Sequence, residues 1–464
     1  MKRALILLIL LLAAGCASPP HRGMRRSVLA ERPEIGGPFL GQNGAVTTAE
    51  DLPAHWWSLY GDARLDSYVE QALAANTDLR AADANLRRAS AIVRESQAAR
   101  SPQTGASGQV LGARAAGPTG GLPGDFSYSL GFDVGYPLDL DHGLRLGVEA
   151  TAAEAEAAEA ARDQVRVTVA AAVTRNYARI CTANMSLATA RRVAAVRQST
   201  LQVASRMAQS GRGTRFDVER ARAAAFASEA QIPDILAERH AALLTLTALM
   251  GRPPADYPRD AENCHTMPRL SRPIPVGDGA RLIRRRPDIR RAERTLAAAT
   301  AAIGIAQADL YPRITLNGSA GSAGRLTDLL NPASFGFGLG PVVTWNFPNR
   351  KAAHARIEQA DAGAQAALAG FDGSVLFALQ QTESSLSAYA RAQQALKSLE
   401  VAAEAAGRAA ADAETLQQFG RTPFLDVLNA QASDADAQSS LSKARTTLID
   451  RQIDLFLSLG GGWE

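Results

Sequence analysis

Few residues in this chain have a type and spacing that could do chemistry. Ser440-Leu441-Ser442-Lys443 fits Ser-x-x-Lys, in which a lysine amine takes a serine proton for acyl transfer. It lies in a run where Leu441, Leu448 and Leu455 keep a heptad, and no partner motif accompanies it. Gly336-Phe337-Gly338-Leu339-Gly340 has the glycine content of a phosphate loop, yet its alternation is that of a strand. The six histidines are dispersed, without metal-ligand spacing. Arg284-Arg285-Arg286 sits at a helix start and reads as a solvated or locally paired turn. No enzyme, cofactor or metal site is expected. The net charge of +4 is small and the Lys and Arg residues are scattered, so no nucleic-acid partner is expected either.

The informative spacing is architectural. Asp78, Ala82 and Pro102 lie 210 residues before Asp288, Ala292 and Pro312. Phe126, Gly211, Asp217, Val218 and Gly251 lie 209 residues before Phe335, Gly420, Asp426, Val427 and Gly460. The chain is therefore a tandem duplication, and each copy is one structural unit. We divide it into 62–254 and 281–460, joined by a Pro-rich connector at 255–280.

Each copy carries a period-two hairpin, at 103–139 and 312–347. Phe335, Phe337, Leu339, Pro341, Val343, Trp345 and Phe347 occupy one face, with glycines and small residues on the other. Phe126 to Leu138 repeats the pattern. Such a face is too long and too aromatic for a half-buried strand of about six residues. It suits lipid, and unpaired backbone in lipid costs several kcal/mol per group, so the sheet edges must be covered. Four strands cannot close a barrel; two chains would supply about eight, a filled barrel, and three about twelve, wide enough for a lumen. Helices must make up the rest. They are expected over 64–100, over 148–210 (free of Gly and Pro, ~95 Å if straight), and over 215–250 with a kink at Pro233. Two more are expected, over 281–310 and from the turn at Gly420–Pro423 to the final glycines, with a Pro-free run from Asn349 to Thr422 between them. Trp56-Trp57 is expected to pack as an anchor.

The first residues, 1–15, read as a signal peptide: Lys2 and Arg3, an apolar run from Ala4 to Ala14, then Gly15-Cys16. This resembles a bacterial lipoprotein box, which implies N-acyl and S-diacylglycerol groups on Cys16. Residues 16–61 are then a lipid-anchored tether, Gly/Pro/Arg-rich and extended over 17–50. Cys181 and Cys264 remain; two cysteines are no framework, and buried thiols are favoured over a bridge.

Several segments carry a resemblance. They are Trp56-Trp57 with Gly61-Asp62, Arg285-Arg286-Pro287-Asp288-Ile289, Leu310-Tyr311-Pro312, Phe424 to Gln431, and Leu459-Gly460-Gly461-Gly462-Trp463. Together the chain resembles the TolC-like outer-membrane channels of tripartite, proton-driven multidrug efflux pumps, in their lipoprotein branch. That resemblance implies an α+β membrane protein, a homotrimer with a 12-stranded β-barrel and a long periplasmic helical barrel. It implies an inner-membrane transporter and a periplasmic adaptor as partners, with passive export of small molecules such as drugs. It places the adaptor-docking tip at Gly211, Arg212, Gly213 and Thr214 and at Gly420, Arg421 and Thr422. It places a pore gate at Asp426 and Asn429, one helical turn apart, where relatives often have a second Asp in place of Asn429. Residues Leu138 to Gly143 depart from the family's usual Phe-Gly helix start. A duct for protein secretion and a poreless helical scaffold lipoprotein are the alternative readings.

Overall fold

The structure is a computed structural model that describes residues 27–41, 47–113, 125–329, 331–345 and 350–461. Cys16, Phe347 and Trp463 lie outside these residues. The first copy contains α1 (Ala63–Ala75), α2 (Thr77–Ala98), β1 (Gln103–Ala113), β2 (Asp125–Leu138), α3 (Gly143–Gln209), α4 (Arg215–Glu229) and α5 (Gln231–Leu249). The second contains α6 (Gly279–Arg285), α7 (Pro287–Ala308), β3 (Arg313–Arg325), β4 (Phe335–Thr344), α8 (Arg350–Gln418) and α9 (Phe424–Ser458). Contacts divide the chain into two compact units, one of residues 85–159 and 291–372, the other of 28–84, 160–290 and 373–464.

The first unit holds one antiparallel sheet of order β1-β2-β3-β4, so β1 and β4 are its edges. The two hairpins join between β2 and β3, with Tyr128 opposite Gly324 and Leu138 opposite Ile314. After β2 the chain turns at His142, a non-glycine residue with φ of 61°. The Asp139 carboxylate then accepts the amides of Leu144 and Arg145, both at 2.9 Å, and caps α3. This is how the departure from the family's helix start is accommodated.

The second unit is built around Trp56, which is fully buried and stacks on Phe456 at 4.5 Å. The Trp pair is thus the packed anchor that its position suggested. Asp62 caps α1 through the Arg64 and Leu65 amides, and its other oxygen accepts the Tyr177 hydroxyl at 2.7 Å. That bond ties the start of the fold to the middle of α3. Pro233 acts as expected but earlier: the helix breaks at Ala230, because proline at the third position of α5 cannot donate back to the preceding turn. The described part of the N-terminal segment is docked rather than free. Ile35 and Phe39 are buried, Thr47–Thr48 pairs in parallel with Ile274–Pro275, and the Leu40 and Gly41 amides donate to Glu383.

Three expectations are corrected. First, the single helices over 64–100 and 281–310 are each broken, at Asn76 and at Arg286. These positions are 210 residues apart, and both reach the last helix of their own copy. Asn76 donates to the Leu249 carbonyl at 3.0 Å, and Arg286 donates to that of Ser458, 209 residues later than Leu249. Beside each joint stands a left-handed glycine, Gly251 (φ 68°) or Gly460 (φ 80°). A Cβ at Gly251 would fall 2.5 Å from the Ala75 carbonyl oxygen. Second, the arginine cluster is locally paired, as one of its two readings had it, but Arg286 within it is not solvated. Arg286 is buried, pairs with Asp288 through two bonds and reaches Gln381. Arg285 donates to the Leu459 carbonyl, and burial pulls its pKa down to about 10 against the attraction of Asp51. Both guanidinium groups thus satisfy carbonyls at the C-terminus of α9, which a helix leaves orphaned. Third, Cys181 and Cys264 are bridged, joining α3 to the connector.

Candidate functional site

Antiparallel registration places even-numbered residues of β1 and β2 beside the apolar residues of β4 on one face. Phe132 lies opposite Ala320, which lies opposite Phe337; Leu130, Ser322 and Phe335 form the next row. The large apolar side chains of these rows are turned outward without cover: Phe337 is 92% exposed, Phe335 67% and Phe132 54%. Water would expel such a face, so the sheet is built for an apolar medium. Gln109, Ser129 and Ala323 align on the opposite face, as do Thr315, Val342 and Pro137. That face is lined mostly by small and polar residues.

The height of the apolar face matches a membrane. Phe126 and Tyr136 are ten residues apart on β2, ~33 Å at about 3.3 Å per residue. Tilted by about 40°, this projects to ~25 Å, the thickness of an outer-membrane apolar band. Aromatic residues mark both rims, Phe126 and Phe335 at one, Tyr136 and Trp345 at the other. Tyr128 is the exception, buried under the turn that follows β3. Its hydroxyl meets those of Ser322 and Ser334, each at 2.9 Å.

The two helix-hairpin turns are the other candidate. They close alike. Gly211 and Gly420 both have φ of 70°. The next amide, of Arg212 or Arg421, donates to the carbonyl five residues back, that of Met207 or Leu416. This is the Schellman closure, and it needs the left-handed glycine. The helices that follow start differently. Thr214 and Asp217 form a capping box on α4. Pro423 opens α9, and the Thr422 hydroxyl donates to the Asp426 carboxylate at 2.9 Å. Asp426 and Asn429 lie on the exposed side of α9, whereas Val427 and Gln431 are buried. The structure thus brings Thr422 and Asp426 together and leaves Asn429 one turn on, facing the same way.

Gln431 ties the start of α9 to its neighbours. Its amide nitrogen donates to Thr200 on α3 at 2.8 Å and to Glu414 on α8 at 2.6 Å. One side chain therefore fixes α9 to two neighbours less than two turns from Asp426. The only sequence signal was its place at the end of Phe424 to Gln431.

Comparison with known proteins agrees with this geometry. The family model described as outer membrane efflux protein matches residues 68–252 and 280–461, one stretch in each copy. Nodulation protein T of Rhizobium leguminosarum bv. trifolii is 28% identical, over 98% of this chain and 96% of its own. The toluene efflux pump outer membrane protein TtgI of Pseudomonas putida is 28% identical, over 100% of this chain and 98% of its own. Among solved structures, the outer-membrane channel OprN superposes with a TM-score of 0.88 at 30% identity, covering 97% of this chain and 99% of that one.

Proposed function

Because the chain belongs to the outer membrane efflux protein family, we propose that it works as a trimeric exit duct. Its place is the outer membrane, with a helical periplasmic extension, and its role is that of the outer-membrane channel of an efflux pump. The family is one of transport channels rather than enzymes. The trimer rests on a single observation: a four-stranded sheet with a bare apolar face and two edges, β1 and β4. Edges in hydrocarbon must pair, so β1 of one chain meets β4 of the next, and three chains close twelve strands around the polar face. Eight strands would leave a barrel filled by its own side chains. Small molecules pass through; a pump in the inner membrane and a periplasmic adaptor supply them. Acylation of Cys16 anchors the chain to the same membrane.

The native mass of the acylated protein in mild detergent tests this. A mass near three chains is expected. A monomer would sink the shared barrel.

The adaptor docks at Gly211 to Thr214 and Gly420 to Thr422. Phe216 and its repeat counterpart Leu425 are exposed beside these turns, apolar surface that a partner would cover. At the same end, three copies of Asp426 and Asn429 ring the axis. Asp426 supplies the only carboxylate of each pair, so the ring attracts cations weakly. We expect Asp426→Ala to lower cation-over-anion permeability of the closed channel several-fold in planar bilayers. Unchanged conductance and selectivity would remove Asp426 from the gate.

A further inference from the structure

Cys181 and Cys264 are both fully buried in the folded unit. Cys181 lies in the middle of α3, between the buried Ile180 and Thr182. Cys264 ends a short turn of the connector whose Ala261 is also fully buried. The Asn184 amide, one turn along α3, donates to the carbonyls of Glu262 and Cys264, both at 2.9 Å. Arg239 of α5 holds the oxygen of that same amide. The sulfurs thus sit beneath a finished layer of packing that no protein oxidant can enter. The bond must therefore close before the layer does.

We propose that Cys181 and Cys264 are a modification site for a periplasmic protein thiol oxidant, and that their oxidation is an early, required step in making the channel. One cysteine thiolate attacks the oxidant's disulfide and forms a mixed disulfide, releasing one oxidant thiolate. The second cysteine thiolate then displaces the other oxidant sulfur. The chain loses two electrons and two protons; the oxidant leaves as a dithiol. The outer-membrane destination takes the chain through the periplasm, where such oxidants work. The pairing needs no isomerase: the chain has three cysteines, and acylation of Cys16 leaves one possible bridge. The two residues are 83 positions apart, so early closure shortens the search that brings the connector onto α3. Later, Asn184 and the buried core hold what the bond has placed.

The test has two arms. In the first, purified full-length channel is treated with reductant and a maleimide probe, natively and in denaturant. No modification is expected natively, two thiols after reduction in denaturant, and none in denaturant without reductant. Two free thiols without reductant would overturn the bridge, and fast reduction of the native protein would overturn the order of events. In the second arm, wild type and the Cys181→Ala/Cys264→Ala double variant are expressed in cells with and without their periplasmic dithiol oxidase. Wild-type abundance in the outer membrane is expected to fall roughly three- to ten-fold without the oxidase, the range in which lost stability changes cellular levels. The double variant should sit at that lower level in both cells. A wild type indifferent to the oxidase, or a double variant as abundant as wild type, would overturn the requirement.

Discussion

Replacing Leu339 with arginine should abolish the assembled channel. Leu339 is the fifth of the ten residues of β4, 77% exposed, and lies between the aromatic rims at Phe335 and Trp345. In the proposed barrel this places it near the bilayer midplane. Arginine there costs about 2–4 kcal/mol per copy, hence roughly 6–12 kcal/mol per trimer. That is as large as the whole stability of an ordinary domain, about 5–15 kcal/mol. The neighbouring residue supplies the control. Gly338 points to the opposite face, and a Cβ there meets only the Ser319 hydroxyl, at 3.5 Å. Gly338→Ser should therefore assemble normally. The readout is the amount of oligomer recovered from the outer-membrane fraction in mild detergent. Wild-type recovery of Leu339→Arg, or equal loss in Gly338→Ser, would show that the sheet does not face lipid.

The sheet was legible because its signal is local. Alternation at period two appears in Phe335 to Val343 whatever surrounds it, and the structure places those residues on one face. The duplication was legible for a related reason, since Gly211 and Gly420 need the same backbone and so keep the same residue type. What escaped lies in contacts between distant parts of the chain. Cys181 and Cys264 carry no spacing pattern at 83 residues apart, and only their packing brings them together. Gln431 looks like any polar residue on a helix until Thr200 and Glu414 stand beside it. The break at Asn76 was readable in principle, because its side-chain oxygen accepts the Asp78 and Leu79 amides as an ordinary N-cap. Arginine at the same place in the second copy is no such cap, and the signature there is Pro287, at the first position of α7, which holds Arg286 extended.

That arginine is where the second large effect is expected. Arg286 and Asn76 solve one problem, tying a helix break to the C-terminal carbonyl of the last helix in each copy. Asn76 does so with a short amide. Arg286 does so with a guanidinium that also binds Asp288 twice and Gln381 once. Removing one partner of a buried ion pair costs about 3–5 kcal/mol. Arg286→Met should fall near the lower end, because Asp288 is partly solvated and Thr382 still donates to the Ser458 carbonyl. Lysine is a point donor and cannot bridge carboxylate and carbonyl together, so Arg286→Lys should recover less than half of the loss. Arg286→Asn is the informative variant. If the two joints share one backbone, asparagine can cap α7 and reach Ser458 as Asn76 reaches Leu249, and it should be milder than methionine. Denaturant midpoints of the helical circular-dichroism signal rank the three. An Arg286→Asn midpoint below that of Arg286→Met would mean that the copies resemble each other in sequence spacing but not in how the joint is made.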